Sequence, residues 1–479
     1  MHDRAKDAVE GFVAGRVSRR ELVRRLAVLG VGVGVADMLV NAAQTQALAA
    51  DFDWMAHKGT NLKLLLNKHP YADSMIANLD NFKKLTGMNV TYDIFPEDVY
   101  FDKVTAALSS RSTEYDAFMT GAYQTWQYGP AGWLVDLNDY IKSAKTNPNY
   151  NWDDVLPNLR ASDSWSGKVG DPLGGAGAHQ WALPWGYEMY IISYNKGVFD
   201  RLKLQPPKNM QELMDSAAKI TKDAGNGTYG VGVRGSRSWA TIHPGFLSGY
   251  TNYGAHDFTV QNGKLKSAVN SKESKAFTEQ FVKMVQDSGP KNWATYTWYQ
   301  VGADLGAGAS GMIYDADILG YFTNSGDTKM KGQIAYAPIA PNPAMSSPTS
   351  NVWIWSLAMS NFSRNKDAAW YYLQWATGTE NLLFGARGHD MVDPVRQSVF
   401  KDEQVQSRIK DKFPGYLDTY NATVTNAKIY FTPQPLFFNV TTDWAAALQR
   451  MVAKQVPVDE GLDQLAQSTD RQMHSAGLG

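Results

Sequence analysis

Between Leu62 and Met119 the chain alternates two hydrophobic periods, and this alternation narrows the accessible folds more than any other feature of the sequence. Leu62–Leu66 reads as an apolar strand, ended by His69-Pro70-Tyr71. Met75, Leu79 and Phe82 then recur at helical spacing, and Thr86-Gly87 stops that helix. Val90–Phe95 alternates as a second strand. Asp98 stands before a helix carrying Val104 and Leu108, and Tyr115–Met119 is a third strand. Strand, helix, strand, helix, strand predicts a mostly parallel sheet with helices on both faces. Ligands of such sheets bind beyond the carboxyl ends of the strands, here Asn67–Tyr71, Phe95–Glu97 and Thr120–Trp126.

A chain of 479 residues exceeds what one hydrophobic core usually serves, so more than one domain is expected. Residues 141–182 are polar and glycine-rich and read as loops with short helices. Tyr190–Tyr194 reads as a strand, Asn209 with Glu212 has capping-box spacing, and Trp353–Ala358 reads as a late strand. The formal net charge is -1 and no basic domain stands out, which argues against nucleic acid as a partner. With no cysteine there is no disulfide or thiolate metal site. The histidines show no metal-ligand spacing, and no metal or cofactor is expected.

The first fifty residues read as an export signal. Ser18-Arg19-Arg20-Glu21-Leu22-Val23 resembles the twin-arginine motif, a weakly apolar stretch Leu26–Val40 follows, and Ala47-Leu48-Ala49 offers small residues for cleavage after Ala49. Residues 1–49 are therefore read as a twin-arginine-type signal peptide and the mature protein as periplasmic.

Several segments share their order with one family. They are Asn81–Val90, Tyr115-Asp116-Ala117-Phe118 with Gly132–Leu137, Leu183-Pro184-Trp185 with Ser193–Lys196, and Ser310–Asp315. Together they resemble the family 1 extracellular solute-binding proteins of ABC transporters, the group that includes maltose-binding protein. Arg234–Trp239, Tyr314–Asp317 with Gly320-Tyr321, and Asn351–Ser356 look more like its sorbitol- and mannitol-binding branch. The resemblance implies a two-lobed α/β periplasmic-binding-protein fold with a hinged cleft. One lobe would hold residues 51–187 and 356–412, the other 188–355 and 413–479. It also implies a monomer that captures a sugar or sugar alcohol, delivers it to membrane permease subunits, and catalyses nothing.

A sugar presents hydroxyls in its plane and C–H groups on its faces, so its site needs carboxylates, amides or arginine together with aromatic rings. The candidates follow from position. Tyr123 and Trp126 follow the third strand and either cap the core or face the ligand. Trp185, Tyr187 and Glu188 lie where the chain crosses between lobes; by the resemblance, Glu188 stands where the family has an acidic sugar ligand. Trp239 follows a glycine-containing turn as a stacking platform, and Asp315 ends an apolar strand, where a carboxylate needs partners such as ligand hydroxyls. Trp353 and Trp355 share one strand face, and which of them meets the ligand is open. Arg387, Asn439 and Trp444 complete the set, while Arg396 reads as solvated surface. The rival reading is an exported glycoside hydrolase with Asp315 and Glu188 as its carboxylate pair.

Overall fold

The computed structural model describes residues 17–28, 52–340 and 347–479. Arg19–Val28 is a helix. The apolar stretch beyond Val28 and the cleavage site at Ala49 lie outside the described residues.

The first three strands are β1 (Asn61–Asn67), β2 (Asn89–Phe95) and β3 (Ala117–Gly121). β1 pairs in parallel with both β2 and β3, as the alternating pattern requires. The connecting helices are Pro70–Thr86 and Glu97–Ser109. The first has His69 as its N-cap, Pro70 at its first position and Gly87 in the left-handed conformation (φ 65°) at its end. The short strands β4 (Ser164–Trp165) and β5 (His179–Gln180) form a small ladder within the polar segment.

β6 (Leu183–Asn195) is the longest strand and joins the two halves of the molecule. The sequence suggested a strand only from Tyr190. Leu183-Pro184-Trp185 instead belongs to the same strand, because Pro184 stands near its start, where a missing N–H is tolerated. Beyond it lie β7 (Tyr229–Gly232), the hairpin β8 (Phe258–Gln261) and β9 (Lys264–Ser267), then β10 (Ser310–Ala316), β11 (Ile334–Ala337) and β12 (Val352–Met359).

The main sheet runs β2-β1-β3-β12-β6-β10-β7, with β11 also on β6. β6 changes partner part-way. Leu183–Met189 pairs with β12, whereas Tyr190–Tyr194 pairs with β10 and Ile192–Asn195 with β11. One continuous strand therefore carries the chain from the first α/β half into the second. Gly186 sits in this strand where a Cβ would come within 2.2 Å of the Tyr71 ring, so the crossing is packed against the first helix with no room for a side chain. The Tyr71 hydroxyl ties the two together by donating to the Tyr187 carbonyl at 3.1 Å.

β1, β3, β6, β10 and β12 are almost wholly buried, as strands covered on both faces must be. Arg396 is buried rather than solvated: it donates to the carbonyls of Thr377 (2.7 Å) and Asn151 (2.8 Å) and lies over the Tyr150 ring. Its guanidinium satisfies loop carbonyls that water would otherwise have to reach.

Candidate functional site

The carboxyl ends of β1, β2 and β10 and the middle of β6 and first half of β12 converge on a cleft with about 390 Å³ of space, part of it open to solvent. It opens into a wider mouth lined by Asp98, Phe101, Asp102, Ser236 and Ser238. β1 delivers His69 two residues past its end, and β2 delivers Glu97 at the start of the next helix. β6 contributes Glu188 and Tyr190, which share a face two residues apart; Trp185 and Tyr187 alternate onto the other face and are buried in the core. Arg234 follows β7, Trp239 opens a short helix, and Trp298 begins the Trp298–Ala307 helix.

β12 places both Trp353 and Trp355 on the cleft. Their rings meet edge to face at 5.1 Å, and Trp239 leans on Trp353 at 5.4 Å. Phe101 stacks nearly parallel to Trp355 at 6.1 Å. These rings form an apolar wall suited to the C–H faces of a polyhydroxyl compound.

The polar groups line the same cleft beside these rings. The Trp355 indole donates to Glu188 Oε1 at 2.9 Å, and His69 Nε2 is 3.7 Å from the same oxygen. Arg234 forks onto Asp315, with Nε 3.0 Å from Oδ2 and Nη2 2.7 Å from Oδ1, and its Nη1 donates to the Ala240 carbonyl at 2.9 Å. Glu97 is pushed up to about 7 mainly by desolvation in the cleft, helped by the Glu188 charge and opposed by Arg234. Carboxylates, a fixed guanidinium and aromatic faces together can hold hydroxyls in fixed directions and reject an epimer whose hydroxyl leaves one of these groups unpaired.

Of the residues expected from the sequence, Glu188, Trp239, Trp353 and Trp355 line the cleft. Asp315 does not: it is fully buried behind Arg234, and its partners are that guanidinium and the Ala316 amide rather than ligand hydroxyls. This also removes it from the carboxylate pair of the hydrolase reading, because a buried acid locked in a fork has no access to a glycosidic oxygen. Tyr123 and Trp126 are core. Tyr123 stacks on Phe437 at 4.4 Å and on Trp353 at 5.7 Å, so it supports the cleft wall from behind. Trp444 packs between Phe246 and Tyr250. Arg387 pairs with Asp402 at the surface, and Asn439 lies in a shallow surface depression beside Arg471 and Gln472.

His69, Glu97, Tyr190, Arg234 and Trp298 line the cleft without having been singled out. The strand-end rule selects the segments that hold His69 and Glu97, and Arg234 opens one of the polyol-like segments. Nothing local in the sequence marks Trp298. Among the described residues no group of three His, Asp or Glu side chains is placed to hold a metal ion, and no helix is long and apolar enough to cross a membrane.

Comparison with known proteins identifies the family. Residues 68–382 match the sequence profile of the family described as bacterial extracellular solute-binding protein. An erythritol/L-threitol-binding protein of Mycolicibacterium smegmatis is 38% identical over 448 residues, covering 91% of this chain and 92% of that one. A mannitol-binding protein of Pseudomonas aeruginosa is 24% identical over 398 residues, covering 80% of this chain and 86% of that protein. The crystal structure of an ABC transporter solute-binding protein from Agrobacterium vitis with bound D-mannitol superposes with a TM-score of 0.71 at 24% identity, covering 88% of this chain and 99% of that one. The two α/β halves joined through β6, the cleft between them and the match over most of the chain make this protein a member of the bacterial extracellular solute-binding protein family of ABC transporters.

Proposed function

We propose that the chain captures a small neutral sugar alcohol of the tetritol class in the cleft and hands it to the permease of an ABC importer. The observation that carries this reading is the cleft lining: Glu188, Glu97 and Arg234 border the same cleft as the Trp239, Trp353 and Trp355 rings. The choice of a tetritol within the polyols rests on the name of the M. smegmatis relative, an erythritol/L-threitol-binding protein. The division into one lobe of residues 51–187 and 356–412 and another of 188–355 and 413–479 belongs to this reading, as does function as a monomer that leaves its ligand unchanged. Binding alone is proposed because the relatives are named as binding proteins and the buried fork removes Asp315 from any catalytic pair.

Export is proposed to use the twin-arginine motif at Arg19-Arg20, with cleavage near Ala49 and a periplasmic product. Lysine at both arginines should leave the precursor unprocessed in the cytoplasm; normal processing would contradict that route.

A thermal-shift panel of erythritol, threitol, ribitol, mannitol and maltose tests the ligand. A binder present at 100 times its dissociation constant should add about 2.7 kcal/mol of stability. The reading expects the tetritols to give the largest shift per mole. A shift with maltose alone would overturn it.

A further inference from the structure

The charges around the cleft are one-sided. Among the described residues of its lining, Arg234 is the one permanent cation, and its charge is already met by Asp315 through the fork at 2.7–3.1 Å. The N–H groups of the guanidinium that these bonds leave over remain for ligand hydroxyls. His69 Nδ1 accepts the Tyr71 amide at 3.2 Å, and its Nε2 lies 3.7 Å from Glu188. Against these groups stand Glu97 and Glu188 within and Asp98 and Asp102 at the mouth. Trp239, Trp298 and Trp353 add ring faces, whose negative quadrupoles attract cations and repel anions.

We propose that the cleft selects by charge as well as by hydroxyl pattern, taking neutral polyols and their ammonium-bearing analogues and rejecting polyol carboxylates and phosphates. This rests on the polyol reading given above. A carboxylate brought between Glu97 and Glu188 meets like charge in a partly desolvated space, and the guanidinium that would offset it is held by Asp315. An ammonium in the same place meets two carboxylates and an aromatic wall. It also favours the ionised form of Glu97, whose carboxyl burial has pushed up to about 7, so amine binding releases a proton. Affinity for the amine therefore rises with pH through neutrality, and affinity for the neutral parent has no such charge partner to drive it.

Calorimetry on the full chain with three matched compounds tests this: erythritol, erythronate, and erythritol with one terminal hydroxyl replaced by an ammonium. The expected order is the amine at least as tight as erythritol, with erythronate about tenfold weaker or more, a gap of about 1.4 kcal/mol. The amine should also tighten severalfold between pH of about 6 and about 8. Erythronate bound within about threefold of erythritol overturns the charge claim, as does an amine weaker than its parent. Erythritol separates the two readings. If it binds and erythronate binds equally, only the charge claim falls; if no neutral polyol binds, the polyol reading falls and takes this one with it. Glu97→Gln, checked for cooperative unfolding, should narrow the gap between erythritol and erythronate. A gap unchanged in that variant counts against the proposal.

Discussion

Arg234 joins the scaffold to the cleft through a single guanidinium. Its side chain is 7% exposed and that of Asp315 0%, so the pair exchanges water for its own fork and for the Ala240 carbonyl. Removing one partner strands the other as a buried charge. Asp315→Asn should therefore destabilise the protein by about 3–5 kcal/mol and weaken polyol binding, since the guanidinium loses its fixed direction. Replacing both members, Arg234→Met with Asp315→Leu, should recover most of that stability without restoring affinity, because apolar groups of similar volume substitute for the pair but offer no donor. Urea unfolding and calorimetry on the two variants check this; wild-type affinity in the double variant would place Arg234 outside the site. Asp315 also marks how far single residues are legible in the sequence. That a carboxylate at the end of an apolar strand needs a partner follows from desolvation alone. That the partner is Arg234, 81 positions away, is a tertiary fact that no local pattern encodes. The same holds for Tyr123 and Trp444, whose aromatic character suits a ligand platform and a core equally.

At the scale of elements, the strand–helix alternation over residues 62–119 and the capping at Asn209 are written in local chemistry and appear in the structure as such. The length of β6 is not, because its partner switch depends on β10, β11 and β12 arriving from more than a hundred residues downstream. Where β6 crosses between halves, a buried acid cluster gathers beside it. The Met189 amide donates to Asp317 Oδ1 at 3.2 Å, and the Tyr416 hydroxyl reaches both Asp317 and Asp393. Burial pushes Asp393 up to about 7, with the Glu188 charge adding to the rise and Tyr416 opposing it; burial and the Asp393 charge raise Asp317 further. A carboxyl whose folded pKa exceeds its unfolded value of about 3.9 keeps a proton that unfolding would release. Its contribution is therefore fully present below pH of about 4 and is lost as pH rises toward about 7, by up to about 1.4 kcal/mol per pH unit and group. Asp393→Asn stays neutral and can still accept from Tyr416. In urea unfolding it should lose less stability than wild type between pH of about 4.5 and about 7.5. Equal slopes in the two proteins would mean that Asp393 is ionised in the fold.

At the scale of the molecule, two α/β halves share one long strand and enclose the ligand space between their strand ends, so each half supplies part of the site. His69 and Glu97 follow β1 and β2 of the first half, Arg234 and Trp239 follow β7 of the second, and Trp353 and Trp355 lie where β12 pairs with the crossing strand β6. A ligand that touches both halves should favour their closure. The central claim is that a neutral polyol sits in the cleft lined by the β12 indoles together with Glu97, Glu188 and Arg234. The most direct measurement is a crystal structure of the protein grown with erythritol. The account predicts one erythritol molecule in this cleft, its carbon chain against Trp353 and its hydroxyls within hydrogen-bond distance of Glu188 and Arg234. A cleft that stays free of erythritol at saturating concentration, or a molecule bound at another place with full occupancy, would contradict it.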